Sequence, residues 1–296
     1  MKTQFFLLLG ILATVLFTGC EMTENPDGAG FQLIKDGEVV LDMSDIEYYD
    51  FSTHVIYLNE NNRLAGYVDK LEGAAVTVDG VEIYSLRIQD PLSSTFYPGP
   101  QTNRVMDRYG DFAFRIRFLH LDDGSGNIPV DPRLDPRISD VLQRHDKLRR
   151  GLSVEIVSVE RSGNDIKTTL RLKNLDPISY YHLDPDKMGT GLFHYFTNGL
   201  TFYNPEIPDY VYDRTAIESP DPWNYWTNDW LAEIAGNQTK EWEFTYSLGA
   251  VPQGKDLNFS FDFPSPYLAV TSRAALDLDG GRIWLGSVED RKMVRF

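Results

Sequence analysis

Three stretches of this 296-residue sequence carry residue types and spacings suited to chemistry. His182-Leu183-Asp184-Pro185-Asp186-Lys187-Met188-Gly189 opens with two carboxylates two residues apart and a Gly to turn the backbone, the start of a calcium loop. Calcium takes roughly six to eight oxygen ligands. Met188 stands where a third acid is needed, and Tyr195 stands where the closing Glu would be. Asp184 and Asp186 are thus a calcium candidate lacking two ligands, and the pattern predicts a turn fixed by Pro185 and Gly189 with no bound metal. His182, Asp184 and His194 make no transition-metal site, because nothing in the sequence returns His194 to the loop. The second stretch holds Trp223, Trp226, Trp230 and Ile234, spaced three, four and four apart. This spacing predicts a helix starting near Pro220-Asp221-Pro222 with the rings on one face. Such a face fills a core or, where exposed, stacks on the apolar faces of sugars. Ile234 continues it and points to core packing, with Trp223 and Tyr225 the most open members. Trp223, Tyr225, Trp226 and Trp230 form the candidate ligand platform. The third, Tyr180-Tyr181-His182 with Phe193-His194-Tyr195-Phe196, reads as strands or turns filling the edge of a sandwich.

Catalytic signatures are missing from the sequence. There is no Gly-x-Ser-x-Gly elbow, no His-Glu-x-x-His pair and no phosphate-cradling loop, and Gly124-Ser125-Gly126 is only a loop fragment. The five His, at positions 54, 120, 145, 182 and 194, are scattered. The expectation is a protein without catalysis, catalytic residue, cofactor or metal. With 44 Asp and Glu against 28 Lys and Arg, the formal charge of −16 argues against nucleic-acid partners, which are held by clustered cations. One Cys excludes an intrachain disulfide framework.

The elements that must position these residues are mostly strands. Phe112, Phe114, Ile116 and Phe118 alternate with smaller or charged residues, as do Trp242, Phe244, Tyr246 and Leu248, and Leu257, Phe259, Phe261 and Phe263. A period of two buries one face and wets the other, the habit of antiparallel sheets. Two hairpins are legible. Ala74–Val78 and Val81–Tyr84 flank Asp79-Gly80, and Val154–Val159 and Ile166–Leu172 flank Ser162-Gly163-Asn164-Asp165. A helix is predicted from Pro136, capped by Asp135, with Ile138, Val141, Leu142, His145 and Leu148 as its apolar stripe and Gly151 as its stop. Arg144, Lys147, Arg149 and Arg150 near its carboxyl end suit the helix dipole without a partner.

At the amino terminus, Lys2 precedes an apolar and small-residue run from Phe5 to Phe17 that ends at Thr18-Gly19-Cys20. The run is short against the roughly 20 residues a membrane span needs, and it reads as an export signal. Leu16-Phe17-Thr18-Gly19-Cys20 resembles the lipobox of bacterial lipoproteins, with Phe17 where that pattern prefers an aliphatic residue. The resemblance implies cleavage after Gly19, acylation of Cys20 (palmitate among its chains) and anchoring to the membrane by lipid. Glu21–Gly30 is polar and aperiodic, a flexible tether. Glu21, in place of Asp, implies an outer-membrane rather than inner-membrane address, with the body facing either the surface or the periplasm.

Thr168–Asp176, Lys240–Tyr246 and Pro252–Phe259 resemble immunoglobulin-like sandwiches of extracytoplasmic proteins. The body is also similar to lipoproteins of Bacteroidetes-type bacteria around Leu183–Gly189 and Gly191–Gly199. The expected fold is mainly β: two antiparallel, immunoglobulin-like β-sandwich domains with one or two short helices. The expected boundaries are a signal peptide over 1–19, a lipidated Cys and tether over 20–30, an amino-terminal β domain over 31–135, a helical connector over 136–150 and a carboxyl-terminal domain over 151–296. The expected function is a non-catalytic binding, adhesion or assembly module of the envelope. Its partners would be the membrane, through Cys20, and envelope proteins or glycans. The alternative is a glycan-binding or glycan-processing component that uses the Trp223–Trp230 aromatics.

Overall fold

The computed structural model describes residues 30–90, 93–95, 97–103, 110–120, 129–203, 217–247, 254–266, 270 and 272–296. Cys20, the expected export signal and the expected tether as far as Ala29 lie outside them; Gly30, its last residue, is buried and exchanges hydrogen bonds with Asp79. The described chain is mainly β, in six sheets of three or four strands. In the first half, one sheet orders Glu38–Leu41, Phe31–Lys35, Ala75–Val78 and Val81–Ser85. A second orders Arg117–Leu119, Gly99–Asn103 and Arg87–Gln89, and a third orders Leu148–Arg149, Ile46–Asp50, Val55–Leu58 and Ala113–Arg115. In the second half, Leu152–Ser162, Asp165–Asn174 and Thr239–Ser247 form one sheet. Leu231–Ile234, Tyr180–Leu183, Gly281–Ile283 and Asp277–Leu278 form another, and Leu200–Tyr203, Asp256–Pro264 and Ser287–Arg295 the last.

Both expected hairpins form. Val78 pairs with Val81 across Asp79 and Gly80, whose φ angles of 49° and 77° are the left-handed pair a two-residue turn requires. Ser162 pairs with Asp165 across Gly163 and Asn164. The alternation in Asp256–Pro264 buries Leu257, Phe259, Phe261 and Phe263, as a half-buried strand should.

Four expectations are corrected. Three of the six sheets are antiparallel throughout and three are mixed: Arg87–Gln89 runs parallel to Gly99–Asn103, Leu148–Arg149 to Ile46–Asp50, and Tyr180–Leu183 to Gly281–Ile283. Three α-helices occur among the described residues, Pro136–Arg144, Pro185–Met188 and Thr190–Thr197. Phe112–Phe118 is not one strand. Phe112 ends a 3-10 turn, Ala113–Arg115 joins one sheet and Arg117–Leu119 another, with the Ile116 N–H given to the His54 carbonyl at the bend. The helix from Pro136 is capped by Asp135 as expected, but it stops at Arg144, with Asp146 at a φ of 54° turning the chain. Leu148 therefore sits on a strand and not on the helical stripe. Ile138, Val141 and Leu142 pack into the first core, and Leu148–Arg149 joins the sheet of Ile46–Asp50.

The apolar interior forms two clusters. The first is built on Phe31, Leu33, Ile46, Tyr49, Ile56 and Val76, and the second on Trp242, Phe244, Phe259, Phe261, Phe263 and Trp284. Tyr48, Val55, Tyr57, Phe112 and Ala113 of the first half belong to the second cluster, so the halves share a core. Polar groups lock the same junction. The buried Asp50 carboxylate accepts from the Ser52 N–H (2.9 Å), the Ser52 hydroxyl (2.6 Å) and the Trp284 indole N–H (3.0 Å). Beside it, Asp176 accepts from the N–H groups of Arg150 and Gly151 and from the Tyr180 hydroxyl, each at 2.8 Å. Glu47 pairs with Arg273 and, at 2.7 Å, with Arg282.

Burial pushes the Asp50 carboxyl up to about 7, against the downward pull of Ser52 and Trp284. A carboxyl raised on folding adds stability that is complete below its ordinary value of 3.8 and is lost as pH rises through the folded value. An Asp50→Asn variant, which cannot ionise, should therefore gain on the wild type between pH 5 and pH 8. Urea midpoints at both pH values measure the gap, and each unit by which the folded value lies above pH 5 shifts it by about 1.4 kcal/mol. A gap that does not move with pH would mean that Asp50 titrates normally.

Candidate functional site

The Trp223–Trp230 stretch is where the structure most alters the sequence reading. Pro220–Thr227 holds no helix. A 3-10 turn spans Asn228–Trp230, and Leu231–Ile234 is a strand paired with Tyr180–Leu183. The helical spacing misled because Trp230 and Ile234 reach the same core from two different elements, the end of a tight turn and a strand. Thr227 caps that turn by accepting the Asp229 N–H. The Trp226 indole N–H is given to Asn228 at 3.1 Å.

The four platform residues grade from core to solvent. Trp230 is buried, 9 % exposed, and Trp226 is half-buried against the second core. Tyr225 is 47 % exposed and Trp223 is 75 % exposed. Trp223 stands in a turn closed by the Tyr225 N–H to the Pro222 carbonyl at 2.7 Å, so the backbone presents the ring outward.

A second element completes the surface. Thr190–Thr197 is a helix, where the sequence reading placed strands or turns around Phe193–Phe196. Gly189 and Asn198 flank it with φ angles of 84° and 59°, left-handed positions suited to Gly and tolerated by Asn. Its Phe193 is fully buried, stacked on Phe244 at 5.6 Å and near Phe261 at 6.2 Å. His194 is buried with its ring nitrogen 3.1 Å from the Tyr246 hydroxyl. The same helix turns Tyr195, 38 % exposed, outward. Ring contacts run continuously from there: Tyr195 to Phe196 at 5.3 Å, Phe196 to Trp226 at 5.9 Å, Trp226 to Trp230 at 5.4 Å and Trp230 to Tyr225 at 5.5 Å. Edge-to-face packing dominates this chain and holds each ring at a fixed tilt. The outcome is an aromatic surface whose inner members are immobilised by the core and whose outer members face water.

The Asp184–Asp186 pair is employed structurally. Asp184 is buried, caps the helix Pro185–Met188 by accepting the Asp186 N–H at 3.0 Å, and pairs with Lys240 at 3.2 Å. Asp186 is exposed on that helix, and among the described residues no three His, Cys, Asp or Glu gather closely enough to hold a metal. His182 is fully buried, its Nδ1 donating to the Leu183 carbonyl at 2.7 Å, and burial pushes its pKa down to about 4. A neutral imidazole edge-on to Trp242 at 5.6 Å is a packing group. Among the described residues no helix is long and apolar enough to cross a membrane.

Sequence reasoning missed Tyr195 as a surface member and Asp50, Asp176 and Trp284 as the junction. The available signals were an acid inside the apolar run Tyr48-Tyr49-Asp50-Phe51 and the triplet Ile283-Trp284-Leu285. No protein-family model and no curated protein matches the chain.

Proposed function

We propose that this chain is a lipid-anchored, non-catalytic binding module of a bacterial outer membrane, held by an acylated Cys20, that binds glycans through the surface around Trp223 and Tyr225. One observation carries the binding role: Trp223, Tyr225 and Tyr195 are exposed, Tyr225 packs edge-on against the buried Trp230, and Tyr195 is joined to Trp230 through the half-buried Phe196 and Trp226. Exposed, pre-oriented rings offer apolar faces to sugar C–H groups at little entropic cost. The composition of the surface favours sugar over protein. Protein interfaces enrich Arg and Met beside aromatics. Ile217–Ile234 contains neither. Among its exposed polar residues, Asn224 and Asn228 carry amides that exchange hydrogen bonds with hydroxyls.

The anchor rests on the resemblance of Leu16–Cys20 to a lipobox, and the immunoglobulin-like reading of the second half is supported by three sheets whose buried residues share one aromatic core. Envelope proteins are the second class of partner, and the membrane is met through lipid alone.

Both parts are testable on the full chain. Labelled palmitate should enter the wild type and not Cys20→Ser. In detergent, neutral oligosaccharides of several linkages should quench the Trp fluorescence of the wild type. The Trp223→Ala, Tyr225→Ala double variant should lose about tenfold or more in affinity at an unchanged melting temperature. Trp230→Ala should instead destabilise the fold by about 3–5 kcal/mol, as large-to-small core changes do. No response to any neutral glycan would end the glycan reading.

A further inference from the structure

We infer that the aromatic surface selects its glycan by charge, accepting neutral and amine-bearing sugars and rejecting uronate-bearing ones; this rests on the glycan reading above. The segment that builds the surface, Ile217–Ile234, contains four carboxylates, Glu218, Asp221, Asp229 and Glu233, and no Lys, Arg or His. All four are exposed. Asp221 lies two residues before Trp223, and Asp229 lies in the turn that seats Trp230. Neither they nor Glu218 has an ion-pair partner among the described residues.

The cations on neighbouring elements are already committed. Lys187 gives its ammonium to the Leu231 carbonyl, and Lys240 pairs with the buried Asp184. His194, on the helix that supplies Tyr195, is buried against Tyr246. Among the described residues of this segment, a sugar stacked on Trp223 or Tyr225 therefore meets carboxylates and no uncommitted cation. Two like charges about 6 Å apart at the surface repel enough to cost a severalfold loss in affinity per pair, and an amine gains by a similar factor. Such effects act within about 8–10 Å and fade with salt.

The test uses the full chain in detergent at pH 5.5 and three hexasaccharides: a neutral β-glucan, a glucosamine oligomer and a galacturonate oligomer. Calorimetry at low salt should rank the amine oligomer about three- to tenfold tighter than the neutral one, with no detectable binding of the uronate. At 0.5 M salt the amine advantage should vanish. A net charge of −16 attracts amines to any part of the molecule, so the local origin needs its own variant. Asp221→Asn with Asp229→Asn should bring the amine-to-neutral ratio to about one. Neutral binding accompanied by equal uronate binding, or an amine advantage that survives both substitutions, would overturn the charge selection and leave the glycan reading standing. Failure of the neutral oligomer to bind would overturn both.

Discussion

Replacing Gly151 by alanine is expected to cost about 2–5 kcal/mol, a large share of the total stability. Gly151 is buried at the junction of the two halves, with a φ of +63° that side chains rarely adopt. A Cβ placed there would lie 2.3 Å from the Ser52 hydroxyl and 2.6 and 2.7 Å from the two Asp50 oxygens. These atoms have nowhere to go. Ser52 and Asp50 are hydrogen-bonded to each other, Asp50 is also held by Trp284, and the Gly151 N–H is committed to Asp176. Left-handed strain of about 1–2 kcal/mol therefore adds to an overpacking cost of about 1–3 kcal/mol, against a total stability of order 5–15 kcal/mol. Gly163→Ala is the control. Its φ is +66°, but nothing lies within 4 Å of the added carbon, so only the backbone part should appear. Urea midpoints of the two variants separate the terms, and equal midpoints would mean that the close approach at Gly151 is not present in solution.

Truncating Trp284 should be comparably severe and should unfold both halves together. Its side chain is fully buried, with Phe263 at 6.3 Å, and its indole N–H reaches across the junction to Asp50 at 3.0 Å. Trp284→Ala removes a large core ring, about 3–5 kcal/mol, and deprives a buried carboxylate of a donor, about 1–3 kcal/mol more. Trp284→Phe keeps one ring in the core and loses the N–H and part of the volume, so it should cost less than Trp284→Ala and raise the Asp50 pKa further. Because the ring belongs to the second half and the carboxylate to the first, the wild type should melt in one calorimetric transition. Two resolved transitions, with only the second shifted in Trp284→Ala, would show that the halves fold independently.

The junction also marks where sequence reading stopped. Both hairpins were legible because their turns have local chemistry: Asp79-Gly80 and Gly163-Asn164 tolerate left-handed backbone, and the flanking alternation fixes the register. The cap at Asp135 was local too. The end of that helix was not, because Leu148 is apolar in either setting and only its parallel partner strand, Ile46–Asp50, draws it out of the helix. The Trp223–Ile234 spacing was a false helical signal for a similar reason. Three aromatic rings and an Ile at intervals of three and four satisfy a helix, yet two prolines, Pro220 and Pro222, and the strand pairing of Leu231–Ile234 with Tyr180–Leu183 place them otherwise. Tyr195 could not be assigned to the surface, since its helix is set by how Phe193 docks among Phe244, Phe261 and Phe263.

The sequence alone determined what depends on neighbours along the chain: the predominance of strands, the turns, the acidic balance and the single sulfur at Cys20. Tertiary structure alone decided what depends on distant residues meeting. It buried Asp50 and Asp176 side by side, carried Tyr48 and Tyr57 into the second core, and divided the tryptophans into buried Trp230 and open Trp223. The physical reason is that burial and close approach are properties of a packed interior, set by contacts between separate elements, and an aromatic side chain carries the same local preference whether it fills a core or faces water.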